Sequence, residues 1–470
     1  MRRTRFVVGF ALLATVVMFA GATSAFAASV PVKPGAATPS QFVSAQGCRC
    51  HGSLVAEWQA SMHSKALEDP LFTTKVAEGD KATGNNLGPF CRRCHAPVAN
   101  MTGEDNSASM SPASAEGITC TFCHQITSVA KPVGNVSQLI EANGVYRGQI
   151  EDPQSPHEPV YSALHKTSEV CGGCHNVMHP VNGMHLESTY AEWQKSPQAK
   201  QGIQCQDCHM SETPPTVGPS TGSAASGAAT RPNIYHMTFA GAQVALGDPA
   251  RATALLKSAA KVEVSAPEIV AAGTKGKVSV KVTNTGAGHS LPTGLTEVRQ
   301  MWLELVVVDD AGKETLLGTH VYGTVLKDAK GKHPVQLWDA TSIYSDDRIA
   351  PMESVTETFK VALPDGVTAA DLRARLLYKS TGDDLAKAAG VENPVTTMAE
   401  AVARVFATPE AKAADAAKPT TADAATTTAP ADDAGATGGS NSGLLIGGGI
   451  IVLAALLGAA IFFGDRAKRA

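Results

Sequence analysis

Three hydrophobic patterns divide the chain. One is the continuous apolar run, which occurs near both ends, at 6–20 and 444–464. A second is alternation. Segments 262–264, 277–282, 302–308, 355–361 and 374–378 alternate β-branched or aliphatic residues with polar ones and are broken by turn residues. That period of two predicts short strands of an antiparallel sandwich at 260–405. The stretch 398–406 reads as a helix closing that domain. The third pattern is a lack of periodicity. Residues 40–245 are rich in Gly, Pro, Ser and Asn, and 211–230 reads as a flexible loop. One amphipathic helix is predicted there, at 54–67, with Leu54, Trp58 and Met62 on one side.

The terminal runs have different meanings. Arg2, Arg3 and Arg5, the apolar run and Ala25-Phe26-Ala27 form an export signal at 1–27, too short to span a bilayer. The run at 444–464 would reach roughly 32 Å as a helix, enough to cross one. Arg466, Lys468 and Arg469 follow it and would keep the tail, 465–470, in the cytoplasm. Gly443 and Gly447 make a GxxxG match that could mark a dimer face, although glycine is common in such helices. Residues 409–442 are Ala, Thr, Pro, Asp and Gly without apolar periodicity, which reads as a disordered linker. The expectation is that the chain before the linker is held outside the membrane by a single-pass anchor.

The chemistry lies in the segment without periodicity. All 10 cysteines of the chain fall between Cys48 and Cys208, in pairs, each pair followed at once by histidine. The pairs are Cys48 and Cys50 with His51, Cys91 and Cys94 with His95, Cys120 and Cys123 with His124, Cys171 and Cys174 with His175, and Cys205 and Cys208 with His209. Four have the C-x-x-C-H spacing of covalent haem c attachment, in which both thiols bond the porphyrin and the histidine binds iron. With 14 histidines in 470 residues, a following histidine arises by chance roughly 3% of the time, so five in succession are not accidental. Structural zinc does not require that histidine each time, and a repeated two-residue spacing is a poor disulfide framework. Porphyrin then replaces much of the apolar core that 40–245 lacks, and five haems c are expected. The first pair has one intervening residue, and Gly47 stands where the first cysteine of a regular motif would be. Attachment there is either double and strained or single, through Cys50.

Each iron has a second axial position. Filled by imidazole, the iron passes electrons; open, it binds small molecules. Nine non-motif histidines are available. His63 lies on the helix after the first motif, and His165 precedes the fourth, with His157 its neighbouring competitor. His179 is favoured over His185 beside a Pro-Val-Asn-Gly turn, His236 follows the last motif, and His289 sits in a glycine-rich turn of the sandwich, where backbone can approach closely. Expected distal ligands are therefore His63, His165, His179, His236 and His289, enough to close every site, with His320 and His333 at the surface. Met62 or Met237 could substitute. The string Ala56-Glu57-Trp58-Gln59-Ala60-Ser61 recurs as Ala191-Glu192-Trp193-Gln194-Lys195-Ser196. It suggests two related helices placing Trp58 and Trp193 against haem faces or, equally, ordinary core tryptophans.

The fourth and fifth motifs, with Leu186-Glu187-Ser188-Thr189-Tyr190-Ala191-Glu192-Trp193 between them, resemble the multihaem c-type cytochromes related to the tetrahaem cytochrome that accepts electrons from hydroxylamine oxidoreductase. Segments 287–294, 299–304 and 347–351 resemble the C-terminal immunoglobulin-like domain of many exported members. The resemblance implies closely packed bis-histidine haems and electron transfer. The expected fold is α+β: a haem-packed, mostly helical and irregular cytochrome domain, then an antiparallel immunoglobulin-like β-sandwich and a C-terminal transmembrane helix. The expected function is relay of electrons between the membrane respiratory chain, through redox partner proteins or a quinol-oxidising complex, and an external or periplasmic acceptor. The alternative is a reductase of a small nitrogen or sulfur oxyanion at one open iron. A net charge of -4 gives no reason to expect nucleic acid.

Overall fold

The computed structural model describes residues 29–85, 87–105, 107–271 and 273–417. The export signal, the run at 444–464 and the tail lie outside them. Among the described residues no helix is long and apolar enough to cross a membrane. This corrects the architecture, which has no support for a C-terminal transmembrane helix. A span needs about 20 apolar residues, and the last described helix, Pro409–Ala416, has 8 residues and carries Glu410, Lys412 and Asp415. That helix, capped by the Thr408 side chain on the Ala411 amide, also occupies the start of the expected linker.

Alternation produces the sandwich. One antiparallel sheet orders Ala260–Ser265, Gly276–Asn284 and Ser354–Val361; the other orders Glu314–Tyr322, Gln300–Asp309, Ala369–Lys379 and Thr396–Phe406. Val278, Val280 and Val282 of the first sheet and Leu303, Leu305, Leu372 and Leu376 of the second are fully buried in one core. The helix expected at 398–406 is instead an edge strand, paired from Ala369↔Phe406 to Tyr378↔Thr396. Its alanines favour helix locally, but pairing buries Met398 and Val405 in the sandwich core.

The haem region is a series of short helices and two- or three-stranded ribbons. Its apolar cluster is small, with Phe42, Met101, Phe122, Ile126 and Ile140 at its centre. The expected helix at 54–67 is broken: Gly52–Ala60 ends at Ser61, which is extended, and Met62–Lys65 follows. The Ser61 hydroxyl donates to the Trp58 carbonyl at 2.7 Å, a local bond that competes with the helix and turns the chain before His63. Within the expected loop at 211–230, Ser220–Gly222 pairs with Arg231–Ile234. Another apolar cluster joins Leu87 and Leu186 of the haem region to Leu326, Leu337 and Ala340 of the sandwich.

Candidate haem sites

Helical turns set the motif geometry. Cys91, Cys94 and His95 end the helix Leu87–His95, Cys205, Cys208 and His209 lie in Cys205–His209, and the third motif forms Cys120–Cys123. In the fourth, the His175 amide donates to the Cys171 carbonyl at 3.0 Å, again a helical turn. Side chains at i and i+3 share a helix face, so both sulfurs of a regular motif point the same way.

Every motif histidine has its Nδ1 against an acceptor. The partners are the carbonyls of Ala224 for His51 (2.7 Å), Ala66 for His95 (3.1 Å), Arg147 for His124 (2.6 Å) and Ala240 for His209 (2.5 Å). His175 instead faces the Glu187 carboxylate at 3.2 Å. A donor at Nδ1 places the proton there and leaves Nε2 with its lone pair, as an iron ligand requires. Burial lowers the pKa of His95 and His124 and takes His209 to about 4, keeping these imidazoles neutral. At His175 burial acts the same way, but the Glu187 carboxylate outweighs it and raises the imidazole to about 9.

Four motif histidines have a second imidazole opposite. Ring centroids are 6.2 Å apart for His51 and His157, 5.9 Å for His124 and His165, 6.3 Å for His63 and His175, and 6.3 Å for His209 and His289. Two imidazoles bound to one iron from opposite faces, with bonds of about 2 Å each, have centroids about 6 Å apart. The pairs therefore fit haem iron. Burial, reinforced by His175, His95 and His209, holds His63 at about 3. Its Nδ1 and that of His165 are buried without a partner, and the Nε2 of His165 bonds the Cys123 carbonyl at 2.9 Å.

His95 is different. Among the described residues no imidazole stands opposite it; its ring contact is Phe72, stacked at 3.9 Å and 8°. The two remaining expected ligands are elsewhere. His179 receives the Val181 amide on Nδ1 and lies 3.5 Å through Nε2 from the Trp338 carbonyl. His236 bonds Glu57 through Nδ1 at 2.7 Å and Ser220 through Nε2 at 2.9 Å. With both nitrogens engaged, neither is placed to bind iron. His157, the competitor of His165 in sequence, has a motif partner of its own. His185 is exposed, His320 pairs with Glu357, and His333 stacks on Tyr344.

The repeated string is a structural device. The Trp58 indole donates to the Ile118 carbonyl at 2.8 Å, and that of Trp193 to the Ile203 carbonyl at 2.9 Å. Each acceptor lies two residues before a motif, Cys120 in one case and Cys205 in the other. Glu57 accepts from the Met237 amide at 2.9 Å and Glu192 from the Ser290 amide at 3.1 Å, so both glutamates capture an incoming loop beside a histidine. His63 lies five residues after Trp58; the residue five after Trp193 is Gln198. A Cβ on Gly288 would be 3.4 Å from Gln198 and from Trp193, so the glycine lets His289 come in over this helix. The sandwich thus supplies an imidazole that the second copy of the repeat lacks.

The motifs adjoin one another. The Cys94 thiol contacts that of Cys174, Cys171 contacts Cys205, Cys48 contacts Cys120, and Cys123 lies near Cys174. The fourth motif therefore neighbours the second, third and fifth. Among the described residues no group of three or more His, Cys, Asp or Glu side chains is arranged to hold a metal ion directly.

Residues 47–125 match the family described as Cytochrome c554 and c-prime. No curated protein matches the chain. Among solved structures, the penta-heme cytochrome c552 from Thermochromatium tepidum is similar, with 20% identity and a TM-score of 0.59 over 79% of this chain and 100% of that one. The CARDB domain of the PF1109 protein from Pyrococcus furiosus aligns with 31% of this chain and 85% of its own, at 15% identity and a TM-score of 0.18. The family match over residues 47–125, the similar fold and the motif geometry together support a multihaem c-type cytochrome with haem c, around five per chain.

Proposed function

We propose that the protein relays electrons outside the cytoplasm, between redox partner proteins fed by a quinol-oxidising membrane system and an external or periplasmic acceptor. Haem c, when bound, supplies the one-electron chemistry. His51 with His157, His124 with His165, His175 with His63, and His209 with His289 would hold four irons, each pair filling both axial positions. The observation that carries this reading is the set of four imidazole pairs at 5.9–6.3 Å. Closed irons exchange electrons without binding substrate. The contacts of the fourth motif with three others support a branched path with its centre at His175.

A second reading is favoured by His95. Among the described residues no imidazole faces His95, so an iron held there would keep one position open, as reduction of a small nitrogen or sulfur oxyanion requires. Electron paramagnetic resonance of the oxidised protein separates the two. One high-spin iron in five, perturbed by nitrite, together with an absorption change when carbon monoxide is added to the reduced protein, supports a reactive site at His95. Five low-spin irons that ignore both leave electron relay alone. More than one high-spin iron would overturn the four-pair assignment.

A further inference from the structure

We propose that the haem between His51 and His157 is attached by a single thioether, through Cys50, and that Cys48 remains a free thiol. The inference rests on haem c binding at that imidazole pair and adds its mode of attachment.

The first motif lacks the geometry of the other four. Cys48 is not helical (φ -85°, ψ 39°); it stands between two short 3-10 turns, Ala45–Gly47 and Arg49–His51. In a 3-10 turn, residues two apart project to different sides, whereas i and i+3 eclipse. The two sulfurs accordingly differ in environment. Cys50 is exposed and Cys48 half-buried, while in each regular motif both cysteines are half-buried.

The segment before Cys48 is tied to the third motif. The Ala45 amide donates to Glu116 at 3.0 Å, and the Thr121 hydroxyl donates to the Val43 carbonyl at 2.9 Å. These bonds fix the segment before Cys48 on the third motif. Cys50 and His51 are fixed from the other side. The Ser226 amide donates to the Cys50 carbonyl at 2.7 Å, and His51 Nδ1 holds the Ala224 carbonyl at 2.7 Å.

Counting back three from Cys50, the place of a regular first thiol belongs to Gly47. A Cβ there would lie 2.6 Å from Val43 Cγ1, so the chain has closed over that position. Read from Gly47, the motif is G-x-x-C-H, with Cys48 an interior residue of the spacer.

In the attachment step the Cys50 S–H adds across one haem vinyl group. A carbon–sulfur bond forms, the S–H bond breaks, and the proton ends on the terminal vinyl carbon, with no net oxidation. The other vinyl keeps its double bond.

The test uses the purified holoprotein. Intact mass first gives the haem count. The protein is then unfolded in guanidinium with a phosphine reductant and treated with iodoacetamide, and the labelled peptide is sequenced. The expected result is five haems and one alkylated cysteine, Cys48, with the reduced pyridine-haem band slightly to the red of that for doubly attached haem. Five haems with no alkylated thiol overturn single attachment and leave haem binding intact. Four haems with both Cys48 and Cys50 alkylated overturn haem binding at this motif. As a second measurement, Cys48→Ser should keep five haems and Cys50→Ser should keep four; the reverse pattern assigns the thioether to Cys48 and also sinks the proposal.

Discussion

Glu192 of the haem region accepts the backbone amide of Ser290 at 3.1 Å, and so fixes the sandwich residue that follows His289. The same carboxylate accepts the Thr293 hydroxyl at 2.8 Å and pairs with Arg348, both partners being largely buried. The His289 loop of one fold is thus held by a carboxylate from the other. Glu192→Gln leaves the Arg348 charge facing Asp346 alone. Removing one partner of a buried pair costs about 3–5 kcal/mol, and a loss near the lower end is expected in guanidinium unfolding. A fraction of the His209 iron should become high-spin. An unchanged spectrum would mean that the loop needs no such clamp.

His289→Ala should convert one iron to high-spin while intact mass still shows every haem, because the covalent bonds are made by cysteines. His179→Ala and His236→Ala should leave the low-spin signal unchanged, since both nitrogens of each ring are already engaged. A spin change in either variant would return that residue to the ligand set.

Glu187 distinguishes the fourth haem. A carboxylate on Nδ1 makes the imidazole a stronger donor than a carbonyl does and favours ferric iron. Glu187→Gln should raise the lowest midpoint potential in a spectroelectrochemical titration. A tenfold change in relative stabilisation corresponds to about 60 mV for one electron, and a shift of that order is expected. If the lowest potential stays in place, the carboxylate does not tune the centre of the path.

Glu297 gives a pH test of stability. Burial raises its carboxyl to about 7 from 4.5, against the opposing charges of Lys75 and Arg299, and one carboxylate oxygen has no partner. A group whose folded pKa is raised contributes stability that is full below pH 4.5 and is lost as pH rises through about 7. Glu297→Gln should remove this slope and be more stable than wild type at pH 8 by about 3 kcal/mol. Parallel stability curves for the two proteins between pH 5 and 8 would contradict it.

The amino-acid sequence alone determined the haem motifs and the sandwich, because both are local. A cysteine pair with its histidine is a short covalent unit, and strand alternation repeats every two residues. Five predicted strand segments fall in five of the seven strands. The edge strand Thr396–Phe406 was not legible because its alanines carry a helical preference that only pairing overrides. Tertiary structure alone decided which imidazoles face the motif histidines. His157 is 106 residues from His51, and His289 is 80 from His209, so no spacing rule joins them. Counting histidines suggested enough to close every iron. His179 and His236 face a carbonyl and a carboxylate instead, and His95 is left with Phe72. A histidine becomes a ligand only where the backbone brings its nitrogen across from another, and that depends on turns such as Ser61 and clamps such as Glu192, whose effect exists only once the distant segments meet.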